Sequence, residues 1–73
     1  MMTTGQRLEA ERKRTKLTLE KISEILGISY QAYRKIEKDI CKPSCDTLVA
    51  IAKMYNLSTD YILGLTDDKR KYW

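Results

Sequence analysis

The chain has 73 residues, 42% of them hydrophobic and 33% charged, with a formal net charge of +4. These values fit one small globular domain and argue against a disordered chain, a second domain or an appended effector domain. With no histidine and only two cysteines, the chain lacks the commonest general base and has too few thiols for a disulfide scaffold or a zinc site.

Phenylalanine is absent, so the core must come mainly from eight Leu, seven Ile and five Tyr, whose spacing follows a helical period rather than strict alternation. A first helix is predicted from about Thr4 to Thr15. Its only apolar residues are Leu8 and Ala10, and its basic end (Arg12, Lys13, Arg14, Lys16) suits the helix dipole. Thr18 caps a second helix with Glu20 in its first turn; Leu19, Ile22, Ile25 and Leu26 give it an apolar face and Gly27 ends it. Ser29 caps a third helix running from Tyr30 to about Lys38, so residues 18–38 have helix-turn-helix spacing. Pro43-Ser44 announces a fourth, lined by Leu48, Ile51, Ala52 and Tyr55 and ended by Asn56. Ser58 caps a short fifth helix, Thr59–Leu63, closed by Gly64. The expectation is an all-α, five-helix domain over 1–73, with its core at about 6–64 and a mostly charged tail at 65–73.

At about 100° per residue, Gln31, Arg34, Lys35 and Lys38 fall beside Tyr30 on one side of the third helix, and Ala32, Tyr33 and Ile36 fall opposite. The second face should pack inward. The first carries an aromatic, an amide and three cations with no acid, since Glu37 lies at its edge. Such a face suits the DNA major groove, where an amide can pair with adenine and a cation with guanine. A solvated helix face is the competing reading.

The segment Leu19–Lys38, LEKISEILGISYQAYRKIEK, resembles the helix-turn-helix of the phage repressor and Cro family, also called the XRE family. The flanks agree: LT before the second helix, IEK after the third, KPS entering the fourth and DYILG ending the fifth. The resemblance covers about Gln6–Gly64. It implies a five-helix, lambda-repressor-like DNA-binding domain, usually dimeric, and an ion pair between Arg12 of the first helix and Glu37 of the third. There are departures. Leu19 stands where the family has a phosphate-binding glutamine, Ser23 replaces alanine, and Lys16 and Asp39 replace glycines at helix ends.

The function this implies is sequence-specific binding of double-stranded DNA by a transcriptional regulator, a repressor, with the third helix in the major groove. Tyr30, Gln31, Arg34 and Lys35 would read bases, and Thr18, Ser29, Lys38, Lys42 and Ser44 would hold phosphates. One short helix covers too few base pairs for specificity, so a homodimer is expected, with Leu57, Tyr61, Ile62, Leu65 and Trp73 as candidates for its seam. The alternative is an antitoxin or adaptor that uses the same fold to hold a protein partner.

Other readings are weaker. Cys41 and Cys45 have C-x3-C spacing but no further ligand, so no metal or other cofactor is expected and unpaired thiols are favoured over redox sensing. No nucleophile has a plausible base and no glycine loop could cradle a phosphate, so no enzymatic activity is expected. The N-terminus has no apolar core and the longest apolar run is Leu48–Ala52. That predicts a cytoplasmic protein without signal peptide or membrane span.

Overall fold

The computed structural model describes residues 2–70. Five helices follow one another: α1 (Thr4–Arg14), α2 (Leu19–Leu26), α3 (Tyr30–Glu37), α4 (Cys45–Tyr55) and α5 (Thr59–Leu63), with no strand among the described residues. Each begins at a hydroxyl. The side chains of Thr3, Thr18, Ser29, Ser44 and Ser58 accept from the backbone N–H groups of Gln6, Lys21, Ala32, Thr47 and Tyr61. At α1 the cap is reciprocal, because Gln6 Oε1 also accepts from Thr3 N at 2.9 Å.

The helix ends are as regular. Positive φ occurs at Lys16, Gly27, Asp39, Asn56 and Gly64, just beyond the ends of α1 to α5 in turn. Gly27 (φ 72°) takes this conformation without a side-chain clash. Asp39 does not, but its carboxylate recovers energy across the fold. It accepts from Thr3 Oγ1 at 2.5 Å and from Gly5 N at 2.9 Å, closing the start of α1. Lys16, at φ 61°, turns the chain between α1 and α2.

The core is built from Leu8 of α1, Ile22 of α2, Tyr33 and Ile36 of α3, Ile51, Ala52 and Tyr55 of α4, and Leu57 and Ile62 around α5. Leu8 is the only hydrophobic residue α1 gives it, since Ala10 is exposed. The expected inner faces shrink in two further places. Ile25 is 51% exposed, because it lies about 60° off the line set by Ile22 while Leu26 lies closer to it. Ala32 is exposed as well.

Two larger corrections concern the C-terminal part. Leu57 and Ile62 were candidates for a dimer seam, but the core buries both. The short α5 packs on α1 and α4, so Ile62 and the preceding Leu57 are used within the chain itself. Tyr61 is half-buried under Arg7 and Lys69, leaving Leu65 as the one fully available member of that set among the described residues. Trp73 lies outside the described residues.

The second correction concerns the tail, whose described part, residues 65–70, packs as a strap. Ser58 N donates to Lys69 O at 3.0 Å and Ser58 Oγ to Asp68 O at 3.3 Å. Arg7 reaches Asp67 Oδ1 at 3.1 Å and stacks over Tyr61, 4.5 Å from its centroid. Glu11 meets Lys69 Nζ at 3.0 Å and Arg14 Nε at 2.6 Å. Arg7 and Glu11, one turn apart on α1, are therefore buried charges with partners from the strap.

Candidate nucleic-acid interface

The helix-turn-helix begins with α2 and α3 packed on one another. Gly27 ends α2, Ile28 N donates back to Ser23 O at 3.1 Å, and Ser29 opens α3 at once. Ser23 is buried; its hydroxyl donates within its own helix to the carbonyl of Leu19, and also to Glu20 O at 3.3 Å. The hydroxyl that replaces the family's alanine is thereby satisfied locally.

α3 buries Tyr33, Ile36 and Glu37 and exposes Tyr30, Gln31, Arg34 and Lys35. Its inward polar residue is fixed from α1. Arg12 Nε donates to Glu37 Oε2 at 2.9 Å and to Oε1 at 3.2 Å, and Arg12 also donates to Leu17 O at 3.2 Å. The hydrogen bonds to Glu37 raise the already high pKa of Arg12, so its charge is permanent. Tyr33 and Tyr55 share this buried region. Burial pushes the Tyr55 phenol up to about 12 and the Tyr33 phenol further still. The pair thus locks the C-terminal end of α3 to α1, and the outward face inherits that orientation.

The cations around α3 differ from those of α1 and of the described tail, though Lys16, Lys21 and Lys53 are unpaired as well among the described residues. Arg7, Arg12, Lys13, Arg14, Lys69 and Arg70 each have an acidic partner. Arg34, Lys35, Lys38 and Lys42 have none among the described residues. Composition could not show this for Arg7, Arg12 and Lys69, whose partners come from tertiary contacts.

Ser29, Gln31, Lys35, Lys42 and Ser44 line one groove of about 380 Å³ between α3 and the start of α4, and no acid among the described residues lines it. The structure thus brings together five of the residues singled out in the sequence. Tyr30 and Arg34 stand on the exposed face of α3 outside that groove, as do Lys38 at the end of α3 and Thr18 at the start of α2. The hydroxyls of Thr18 and Ser29 each accept from one helix amide and retain their own proton for donation. Ser44 is different: its hydroxyl donates to Thr47 Oγ1 at 3.0 Å. Any anion at this end meets the amides of α4 rather than a free Ser44 hydroxyl. Sequence reasoning missed Thr47 and weighed Cys41 only as a thiol; both line the same groove, placed there by the fold of the turn around Pro43.

Five short helices around one core, with a tight glycine turn ahead of a helix that presents unpaired cations, define a helix-turn-helix unit. The chain belongs to the helix-turn-helix family, whose pattern matches residues 8–62. It is 49% identical over 63 residues to the uncharacterized HTH-type transcriptional regulator YobD of Bacillus subtilis (strain 168), covering 86% of this chain and 56% of that protein. It is 34% identical over 70 residues to the HTH-type transcriptional regulator ImmR of the same organism, covering 96% of this chain and 55% of that one. The chain thus spans little more than half the length of these relatives. Among solved structures, it resembles the P22 c2 repressor protein in complex with synthetic operator 9T in the presence of Tl+. That match has a TM-score of 0.82 and 28% identity, and covers 86% of this chain and 96% of that one.

Proposed function

We propose that the chain binds double-stranded DNA as a sequence-specific transcriptional regulator, a repressor, by placing α3 in the major groove. The observation that carries this reading is the acid-free, unpaired face of Gln31, Arg34 and Lys35 beside the Lys42 turn. The likeness to a repressor solved with its operator adds to it. Tyr30, Gln31, Arg34 and Lys35 contact base edges; Thr18, Ser29, Lys38, Lys42 and the α4 amides at Ser44 contact phosphates.

The working form is a homodimer. The chain is 28 Å along its longest axis, shorter than the roughly 34–36 Å between half-sites one turn apart. Two recognition helices at that spacing therefore require two copies. The exposed Leu63 and Leu65 at the end of α5 are the apolar residues available for a seam there.

Binding of duplex DNA over a salt series tests this reading. Counterion release predicts a linear fall of log K with log salt, with a slope of about −0.9 per phosphate neutralised. A flat profile would instead support the protein-holding alternative, in which phosphates play no part.

A further inference from the structure

We propose that Asp39 is a positioning residue for DNA binding: by tying the start of α1 to the end of α3, its carboxylate fixes the turn that carries Lys42. Its effect on DNA binding rests on the function proposed above; the tie itself does not. Residues 39–42 are all exposed, so no side chain of this stretch is anchored in the core. Beside them lies a cavity of about 380 Å³, lined by Thr3, Ile36, Asp39, Lys42 and Leu63 among others, so packing does not hold the turn on that side. Its backbone bonds return to α3: Asp39 N donates to Ile36 O at 3.1 Å, and Ile40 N and Cys41 N donate to Lys35 O at 2.9 and 3.3 Å. Only the Asp39 carboxylate reaches further. It accepts from Thr3 Oγ1 at 2.5 Å and from Gly5 N at 2.9 Å, and among the described residues no other hydrogen bond joins residues 38–43 to another part of the fold. Gly5 makes the approach possible, because a Cβ there would stand 2.9 Å from Asp39 Cγ. The Gly5 amide is also one of the free N–H groups of a helix start, where a carboxylate is favoured.

The carboxylate has no cationic partner among the described residues, although Lys38 precedes it and Lys42 lines the same cavity. An acid beside cations that hold phosphates repels the DNA backbone. Charge and position therefore act in opposite directions at Asp39. As a mere surface acid, its neutralisation would tighten binding. As the tie of the turn, its removal frees Lys42 from the place where it meets a phosphate.

Two neutral variants separate these roles. Asp39→Asn removes the charge but keeps an oxygen for Gly5 N and an amide for Thr3 Oγ1. Asp39→Gly removes the charge and the tie together. Both residues tolerate the φ of 61° found here, so neither strains the turn. Parent and variants, each with and without Lys42→Ala, are titrated against a selected operator over a salt series. Asp39→Asn should bind at least as tightly as the parent, and Asp39→Gly about tenfold more weakly than Asp39→Asn. Lys42→Ala should reduce the salt slope by about one unit per half-site in the parent and in Asp39→Asn, and by less than about half of that in Asp39→Gly. Asp39→Gly binding as tightly as Asp39→Asn, or losing the full slope on Lys42→Ala, overturns the positioning role. A Lys42→Ala effect absent already in the parent overturns the Lys42 contact and the positioning role with it.

Amide hydrogen exchange tests the tie without DNA. In Asp39→Gly, the amides of Gly5, Ile40 and Cys41 should lose about tenfold in protection relative to Asp39→Asn, while the core amide of Ile51 changes less. Unchanged protection at Ile40 and Cys41 overturns the tie. Failure of the parent to bind any duplex overturns the functional reading instead, and the tie is then decided by exchange alone.

Discussion

The guanidinium of Arg12 on α1 holds both carboxylate oxygens of Glu37 at the end of α3, at 2.9 and 3.2 Å, and the Glu37 side chain is only 2% exposed. This one contact sets how α3 sits on the body of the protein. Glu37→Gln keeps the shape but leaves Arg12 without a counter-charge. It should lower unfolding stability by about 3–5 kcal/mol, measured by urea titration, whereas replacing both partners with apolar residues should recover much of the loss. A loss below about 1 kcal/mol would mean that the pair behaves like an exposed one.

That pair was implied by family resemblance; spacing alone would not have found it. Four of the five caps, by contrast, were legible in the residues themselves, because a hydroxyl ahead of an amphipathic stretch has a local physical role. The outward face of α3 was legible for the same reason. What could not be read were contacts across the chain. Nothing in the sequence marks Arg7 and Glu11 as buried, because their partners Asp67 and Lys69 lie at the far end of the chain. Asp39 was legible as a residue tolerating positive φ, but its role in closing the start of α1 needs the two helix ends to meet. Ile62 was misjudged because so short a helix as α5 shows no sequence period strong enough to reveal which side chains turn inward, and Leu57 because it lies in the connection between α4 and α5, where no period applies.

Gly5 illustrates a close approach hidden in the sequence. A Cβ there would stand 2.3 Å from the carbonyl oxygen of Glu37 and 2.8 Å from its carbon, both backbone atoms. Alanine normally favours a helix over glycine by roughly 0.5–1 kcal/mol. Here Gly5→Ala should instead destabilise by about 1–3 kcal/mol, since α1 and α3 must move apart. A melting temperature equal to or above the parent's would contradict this packing.

Ile62 within α5 and Leu65 just beyond it should behave oppositely. Ile62 is fully buried, so Ile62→Ala should cost about 2–5 kcal/mol in a denaturant titration. Leu65 is 75% exposed, so Leu65→Asp should leave stability within about 0.5 kcal/mol. In sedimentation, Leu65→Asp should weaken self-association. Unchanged association would move the seam away from the end of α5.

Stability should also fall at both extremes of pH. At Glu11, burial pushes the carboxyl up, but hydrogen bonds from Arg14 and Lys69 outweigh it and hold the pKa below the ordinary glutamate value. Its contribution is therefore present above that ordinary value and lost as pH falls through the lowered one. At Tyr55, burial raises the phenol to about 12. Its contribution is full below the ordinary tyrosine value of about 10 and lost as pH rises through the raised one. Urea midpoints across pH should show both limbs. Glu11→Gln should flatten the acid limb, and Tyr55→Phe should reduce the alkaline one, to which the more strongly raised Tyr33 also contributes; a limb unmoved by its substitution would assign it to other groups.

The central claim is that α3 reads bases while the Lys42 turn holds the backbone, and paired binding curves for Gln31→Ala and Lys42→Ala test it most directly. Both variants are titrated against a selected operator and against scrambled duplex over a salt series. Gln31→Ala should lose about 1–3 kcal/mol on the operator and almost nothing on scrambled DNA, because no phosphate charge is removed. Lys42→Ala should weaken both duplexes alike and reduce the salt slope by about one unit per half-site. Equal losses on both duplexes for Gln31→Ala, or an unchanged salt slope for Lys42→Ala, would contradict this docking of α3.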